Sequence, residues 1–153
     1  MKDLATKDED FMALALAEAQ KALQLGEVPV GCVIVLKDKI IARAHNLRET
    51  KKDPTAHAEI LAIKKAAQRI GGWRLTGTTI YVTIEPCAMC AGAIYQARIE
   101  RLVYGVDDPK TGAIKSLFSI LDERKINHRV KVSGGVLQKD CSEILSGFFK
   151  QNR

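Results

Sequence analysis

The chain has 153 residues, of which 46% are hydrophobic and 27% charged, and its formal net charge is +6. These totals indicate an ordinary globular protein with a single domain at 1–153, and they exclude a small scaffold that depends on disulfides. The positive charge is compatible with a polyanionic partner such as nucleic acid, but it is spread along the chain and does not identify one.

The first predicted element is an amphipathic helix. Residues 1–11 carry no apolar core typical of a secretory signal, so we expect no export, a cytoplasmic location and free cysteines. From Met12 to Leu23 apolar residues recur at helical spacing with charged residues between them, and Gly26 ends the pattern.

Two strands and a second helix follow. The run "VGCVIVL" predicts a buried strand, and "KIIARA" predicts a second strand joined to it by a hairpin at residues 37–39. The apolar run 28–36 is too short to span a bilayer, so no membrane partner is expected. A helix is predicted from near Thr55, which would be its N-cap behind Pro54. One face of this helix carries Ile60, Ile63, Ala67 and Ile70, and Gly71 ends it.

The second half of the chain continues the alternation of strands and helices. The stretch "TTIYVTI" reads as a strand, and Pro86 is predicted to open a third helix. After the strand "IERLVYG" come the loop "DDPKTG", a short helix near 117–121, a strand near 129–133 and a closing helix from about Lys139. This order predicts an α/β fold, a three-layer α/β/α sandwich around a mixed sheet of about five strands.

Two cysteines lie at the start of the third predicted helix. Cys87 and Cys90 are three positions apart, so on a helix they share a face to within about 60°. The helix N-terminus favours negative charge and therefore thiolates, the form of cysteine that binds metal. A Cys-x-x-Cys pair is also compatible with a redox function, or with two small buried hydrophobes.

The second helix supplies a third candidate ligand. His57 lies thirty residues before Cys87, and because both helices follow strands, we expect their N-termini at the same edge of the sheet. His57, Cys87 and Cys90 are then the ligands of a tetrahedral Zn²⁺ whose fourth position holds water, which is typical of a catalytic site. Cys32 is the alternative fourth ligand and would close the site, although a thiol in an apolar strand usually packs as a small hydrophobe.

Glu59 is the candidate general base. It follows His57 by two positions, a spacing that places two side chains on nearly opposite faces of a regular helix. Both can serve one site only if His57 lies at the entrance of the helix, before regular geometry begins. A carboxylate there is otherwise explained by its favourable interaction with the helix dipole. Beside a zinc-bound water, it would accept a proton and pass it to a departing nitrogen, which indicates a hydrolytic amine displacement.

These motifs resemble those of a known family. "HAE" followed by "PCAMC" matches the H-x-E…P-C-x-x-C signature of zinc-dependent nucleobase deaminases. The stretches "GEVPVGCVIV", "AGAIYQARIERLVYG" and "DPKTGAIKSL" narrow the resemblance to bacterial tRNA-specific adenosine deaminases, over residues 11–150. The resemblance implies a cytidine deaminase-like fold, one zinc per subunit, and conversion of the wobble adenosine of an arginine tRNA to inosine.

The same resemblance implies roles for further residues and a partner. Asn46 would bond to the flipped base, the Pro29 region would form part of the pocket wall, and Asp108 would contact a neighbouring nucleotide. Phe148 and Phe149 would help to shape the groove, and the protein would be a homodimer that binds the anticodon stem-loop. The residues themselves leave an alternative for each: Asn46 as a turn residue, Asp108 as part of a polar loop, and the two phenylalanines as core residues, which is the interpretation we favour for the phenylalanines.

Two other functions remain compatible with the sequence. A deaminase of a free base or nucleotide, of the guanine or cytidine type, uses the same zinc core. A zinc-stabilised RNA-binding module without catalysis would require Cys32 at the metal.

Overall fold

The computed structural model describes residues 2–152. Five strands, numbered β1 to β5 in chain order, form one sheet in the order β2-β1-β3-β4-β5. Strand β1 is antiparallel to both β2 and β3, whereas β3, β4 and β5 run parallel to one another. The predicted mixed sheet of five strands is therefore confirmed. The strands are β1 Gly31–Leu36, β2 Lys39–His45, β3 Thr78–Ile84, β4 Arg101–Val106 and β5 Lys131–Ser133.

Helices cover both faces of the sheet, as the alternation of elements predicts. Helices α1 and α5 pack on one face, and α3 and α4 pack on the other. Within residues 2–152, no helix is both long and apolar enough to cross a membrane. The helices are α1 Leu4–Gln24, α2 Arg48–Lys51, α3 Ala58–Ile70, α4 Ala88–Gln96 and α5 Gln138–Gln151.

Alternation along the central strands divides the apolar residues between two cores. In β1, Val33 and Val35 pack with α1 and α5, whereas Cys32 and Ile34 pack with α3 and α4. Successive side chains of a strand point to opposite faces, and here both faces are covered. The free cysteines Cys32 and Cys141 are buried in these two cores as small hydrophobes.

A buried polar network attaches α1 to the sheet. Arg101 donates to both carboxylate oxygens of Asp8, at 2.7 and 2.6 Å, and Tyr81 donates its hydroxyl to the same carboxylate at 2.8 Å. Burial and the neighbouring Asp8 raise the pKa of Tyr81. Asp8 and Arg101 form an ion pair in which each charge has its partner. Removing either residue would leave an unpaired buried charge and would lower the stability of the fold.

Several predicted helix boundaries are wrong by a few residues. Helix α3 begins at Ala58 with His57 as its N-cap, so Thr55 is not the cap; Thr55 instead donates to the Asp53 carboxylate in the preceding turn. Helix α4 begins at Ala88, so Pro86 lies before the helix rather than opening it. The short helix expected near 117–121 is a 3-10 turn at Ile120–Asp122.

The buried face of α3 also differs from the prediction. Alanines rather than isoleucines face the sheet, with Ala58, Ala62 and Ala66 fully buried. Ile63 packs at the margin of the core, and Ile70 is exposed. Both sets of residues repeat at helical spacing, so periodicity alone did not distinguish them.

Candidate metal centre and adjoining cavity

The sheet topology brings the N-termini of α3 and α4 to the same edge. Because β2 and β3 are each antiparallel to β1, they run in the same direction. Helix α3 follows β2 through α2, and α4 follows β3 directly. His57 and Cys87, the N-cap residues of these helices, therefore meet although thirty residues separate them.

Three side chains of types that can bind metal converge at this edge. Within residues 2–152, His57, Cys87 and Cys90 form a group whose ligand atoms all lie within 4.8 Å of one another. The Nδ1 atom of His57 is 3.6 Å from Sγ of Cys87 and 3.5 Å from Sγ of Cys90. Cys32 does not belong to this group in the described chain, because it is buried in the sheet core.

The spacing and the donor types fit zinc. Bonds of about 2.0–2.1 Å to nitrogen and about 2.3 Å to sulfur, at a tetrahedral angle, place the two ligand atoms about 3.5 Å apart. The observed nitrogen–sulfur separations have this size. One imidazole and two thiols are also a donor set that zinc prefers.

Hydrogen bonding within the group favours a thiolate. The hydrogen bond with Cys90 and the one with His57 lower the pKa of Cys87 to about 4, although burial opposes the shift. The same contact with Cys87, together with burial, raises the pKa of Cys90. A lowered pKa of Cys87 favours the thiolate, which is the form of cysteine that coordinates metal.

Glu59 lies beside this group in the first turn of α3. His57 has extended backbone angles, with φ −74° and ψ 152°, whereas Glu59 lies within the helix. His57 therefore lies before the regular helix begins, which is required if two residues only two positions apart are to serve one site. The Glu59 side chain is 3% exposed, and burial raises the pKa of its carboxyl against the lowering effect of its own backbone N–H and of His57. A buried carboxyl group with a raised pKa is suited to taking up and releasing protons.

A cavity of about 690 Å³ opens onto the group. His57, Glu59 and Cys87 line it, together with residues from the segments before β1, after β2 and after β4 and from helix α5. This volume is within the range of small-molecule and cofactor sites. The cavity is therefore large enough for a nucleobase and some of the atoms attached to it.

Asn46 lines the cavity, and Pro29 lies between two residues that line it. Asn46 is 8% exposed and lines the cavity, where its Nδ2 donates to the Val28 carbonyl and its Oδ1 accepts from the Arg48 N–H. These two hydrogen bonds agree with the interpretation of Asn46 as a turn residue. Pro29 is buried, and its neighbours Val28 and Val30 line the cavity in the described chain, whereas Pro29 does not.

Asp108 and Phe149 also line the cavity. The Asp108 carboxylate accepts hydrogen bonds from its own loop, from the N–H groups of Lys110 and Thr111 and from the Thr111 hydroxyl. The prediction that the phenylalanines are core is wrong for Phe149, which is 53% exposed and packs edge-to-face against Phe148.

The sequence analysis missed two basic residues that line the cavity, Arg48 and Lys150. Arg48 and Lys150 line the cavity together with Lys110. Arg48 follows Asn46 by two positions, and Lys150 follows Phe149, so proximity to a candidate site residue was the available signal. The lining also contains the carboxylates of Asp107 and Asp108, so its charge is mixed, and the three cations mark the positions at which an anionic group would bind.

Comparison with known proteins gives consistent similarities. The sequence matches the family described as MafB19-like deaminase over residues 6–153. It is 50% identical over 148 residues to a tRNA-specific adenosine deaminase of Bacillus subtilis, covering 97% of this chain and 92% of that protein. It is 51% identical over 147 residues to the tRNA-specific adenosine deaminase of Haemophilus influenzae, covering 95% of this chain and 85% of that protein.

Solved structures extend these similarities to the fold. One, from studies of A-to-I editing by tRNA:A34 deaminases at the wobble position, has a TM-score of 0.86 and 46% identity, covering 89% of this chain and 99% of that chain. A guanine deaminase of Bacillus subtilis has a TM-score of 0.62 and 40% identity, covering 65% of this chain and 64% of that chain.

Proposed function

The chain belongs to the tRNA-specific adenosine deaminases within the MafB19-like deaminase family, and we propose that it converts the wobble adenosine of a tRNA anticodon to inosine. The family resemblance noted in the sequence is thereby confirmed. The observation that carries the proposal is a histidine–cysteine–cysteine group with a buried glutamate at the inner end of a cavity large enough for a base.

His57, Cys87 and Cys90 are proposed to hold one Zn²⁺ per chain. Their donor types and separations support this assignment. When bound, zinc supplies Lewis acidity that makes water a competent nucleophile at neutral pH.

Glu59 is proposed as the proton shuttle. Deamination replaces the C6 amino group of adenine by oxygen from water and releases ammonia. Glu59 takes one proton from the water and delivers it to the ring nitrogen next to C6. It then takes the second proton from the hydroxyl group added at C6 and passes it to the leaving amine, which departs as ammonia. Its burial beside the ligand group and its raised pKa support this role. Asn46, on the wall of the same cavity, is proposed to bond to the edge of the base.

An unpaired RNA loop is the proposed substrate. The base must leave its stack to reach the inner end of the cavity, and an anticodon loop is already single-stranded. The cations Arg48, Lys110 and Lys150 at the rim support contact with the RNA backbone. On the other walls, Asp108, Phe149 and the Pro29 region are proposed to border the flanking nucleotides. We propose an arginine tRNA, as the resemblance implies, and a cytoplasmic location, because tRNA is found there.

The assembly is proposed to be a homodimer of single-domain chains. The family match spans residues 6–153 and one sheet organises the described residues, which supports one domain at 1–153. Trp73, Leu117 and Phe118 are each more than half exposed, and exposed apolar side chains of this size support a contact with a second chain. Light scattering of the purified protein should give twice the mass of one chain.

Inosine formation on defined substrates tests the function. The purified protein should deaminate an anticodon stem-loop with adenosine at the wobble position, and a matched stem-loop with that adenosine moved by one position should react much more slowly. Free adenosine, cytidine and guanine are the other arms, and guanine is included because of the structural similarity to a guanine deaminase. Turnover of a free base or nucleoside without turnover of the stem-loop would overturn the proposal.

A further inference from the structure

Glu85 is a buried carboxylate that the proposed reaction does not use. It follows the last residue of β3 and is 1% exposed. A buried carboxylate is costly unless hydrogen bonds satisfy it, so its partners indicate what it does for the protein. All of these partners belong to one segment, residues 107–116, which we call the cavity loop.

The two oxygens of Glu85 bind the two ends of the cavity loop. Oε1 accepts the N–H of Asp108 at 3.0 Å and the hydroxyl of Ser116 at 2.5 Å. Oε2 accepts three successive backbone N–H groups at 3.0, 2.9 and 3.0 Å, those of Ile114, Lys115 and Ser116. Five hydrogen bonds to one charged acceptor stabilise the ionised form, and they lower the pKa of Glu85 to about 2 although burial opposes the shift.

The cavity loop forms a wall of the substrate cavity and adjoins the metal centre. Residues 107–111 line the cavity. Gly112 forms a bridge with Cys87, and the Ala113 N–H donates to the Pro86 carbonyl at 2.8 Å. A Cβ atom at Gly112 would collide with the Glu85 carboxylate, so the loop approaches this side chain as closely as a backbone can.

We propose that Glu85 is a positioning residue that holds the cavity loop in the conformation that binds the substrate; this inference rests on the proposed deaminase function. Ala113 and Ile114 anchor one end of the loop in the hydrophobic core, whereas residues 107–111 are half-buried or exposed and contribute little to it. The ordering of residues 107–111 therefore depends on hydrogen bonds, and the largest set of side-chain hydrogen bonds in the loop converges on Glu85. A loop ordered in advance binds without a further entropic cost.

If Glu85 positions the cavity loop, a substitution of Glu85 should change KM rather than kcat. If the loop adopted its binding conformation only about a tenth of the time, the apparent affinity for the substrate would fall about tenfold. Bound substrate would restore the loop, so turnover at saturation would remain near that of the wild type. A residue that served only the stability of the fold would instead change the fraction of active enzyme.

Glu85→Gln is the principal variant, because it keeps the size of the side chain. An amide has one acceptor oxygen and one NH₂ group, so at least one of the backbone N–H groups now held by the two oxygens must lose its acceptor. We expect KM for the anticodon stem-loop to rise about tenfold with kcat changed less than about twofold. The zinc content should be unchanged, and backbone amides of residues 108 and 114–116 should exchange their hydrogens faster.

Asp8→Asn is the matched control. It also changes a buried carboxylate to an amide, but on helix α1, where its partners are Tyr81 and Arg101. This variant should be less stable than the wild type, with KM and the exchange of the loop amides unchanged.

If Glu85→Gln does not fold, Ser116→Ala removes one donor of the same set and should raise KM about threefold with faster exchange of residues 114–116.

The outcomes separate this inference from the proposed function. If the wild type does not deaminate the stem-loop, the proposed function fails, and amide exchange in the absence of RNA alone decides whether Glu85 holds the loop. If the wild type is active, an unchanged KM in Glu85→Gln would overturn the inference. A raised KM with the loop amides still protected would overturn it as well.

Discussion

His57 and Cys87 occupy the same position in two different helices. Each is the N-cap residue of its helix, with φ and ψ of −74° and 152° in His57 and −75° and 177° in Cys87. Among the described residues, neither side chain forms a capping hydrogen bond to its own helix. Both side chains instead face each other across the site, at 3.6 Å. A position that would ordinarily stabilise a helix therefore belongs to the candidate metal centre.

Substitutions at His57 should show that its side chain contributes to metal binding rather than to capping of helix α3. His57→Asn and His57→Ala both remove the imidazole, so both should lose the zinc that we propose for the wild type. Asparagine is a good N-cap residue and alanine is not, so the Asn variant should be more stable than the Ala variant by about 1 kcal/mol. Urea unfolding in the presence of a chelator and metal analysis of the purified variants measure both effects. Equal stabilities would contradict the capping assignment, and retained zinc would contradict the ligand assignment.

Glu59→Gln should separate catalysis from metal binding. The substitution keeps the volume of a buried side chain but removes its ability to carry a proton. We expect kcat for inosine formation to fall by at least about 100-fold, because general acid–base catalysis contributes about 10²–10⁴. Zinc content, measured on the same preparation, should match that of the wild type. A variant with a tenth of the wild-type rate would exclude Glu59 as the proton shuttle.

The stabilising effect of Glu18 should depend on pH. This buried residue of α1 accepts hydrogen bonds from Lys21 at 2.6 Å and contacts Nδ1 of His45 at 3.0 Å. Burial acts to raise the pKa of Glu18, but the hydrogen bonds with His45 and Lys21 outweigh it and lower the pKa below 4.5. Because the folded pKa lies below the unfolded one, the stabilisation is complete above the unfolded pKa and is lost as the pH falls through the folded pKa.

Glu18→Gln should therefore lower the urea midpoint at neutral pH and have a decreasing effect as the solution is acidified. Urea titrations of the wild type and the variant across this pH range provide the measurement. Glu9→Gln is the control, since Glu9 is an exposed glutamate of the same helix. A Glu18→Gln effect that stayed constant on acidification would show that the carboxylate charge does not contribute.

Phe149→Ala should weaken substrate binding more than it affects stability. The ring is exposed and lines the cavity, and stacking of a base on an aromatic side chain contributes about 1–3 kcal/mol. We expect KM for the stem-loop to rise about fivefold or more, with a loss of stability below about 1.5 kcal/mol from the contact with Phe148. Leu4→Ala, at a residue of α1 that is 61% exposed, is the control and should leave KM unchanged. An unchanged KM in Phe149→Ala would remove the ring from the substrate site.

Some errors of the sequence analysis have a common physical cause. Proline is compatible with the first turn of a helix and also with the extended segment before it, so Pro86 did not reveal that α4 begins at Ala88. Thr55 is a good capping residue, but its hydroxyl bonds to Asp53, which leaves the N-cap position to His57. Local propensity indicates that a helix begins in the region, whereas tertiary contacts select the residue at which it begins.

The sequence by itself determined the elements, the mixed α/β architecture and the chemical types of the site residues. These features depend on neighbours within a few positions: apolar periodicity, the turn at 37–39, and the three-residue spacing of Cys87 and Cys90. Only the tertiary structure decided which distant residues meet. His57 reaches Cys87 because β2 and β3 run in the same direction on either side of β1. Glu85 finds its partners 23 to 31 residues further along the chain, in a loop whose own sequence shows only a polar turn. Strand order and the need to satisfy buried polar groups set these contacts, and neither leaves a local pattern in the sequence.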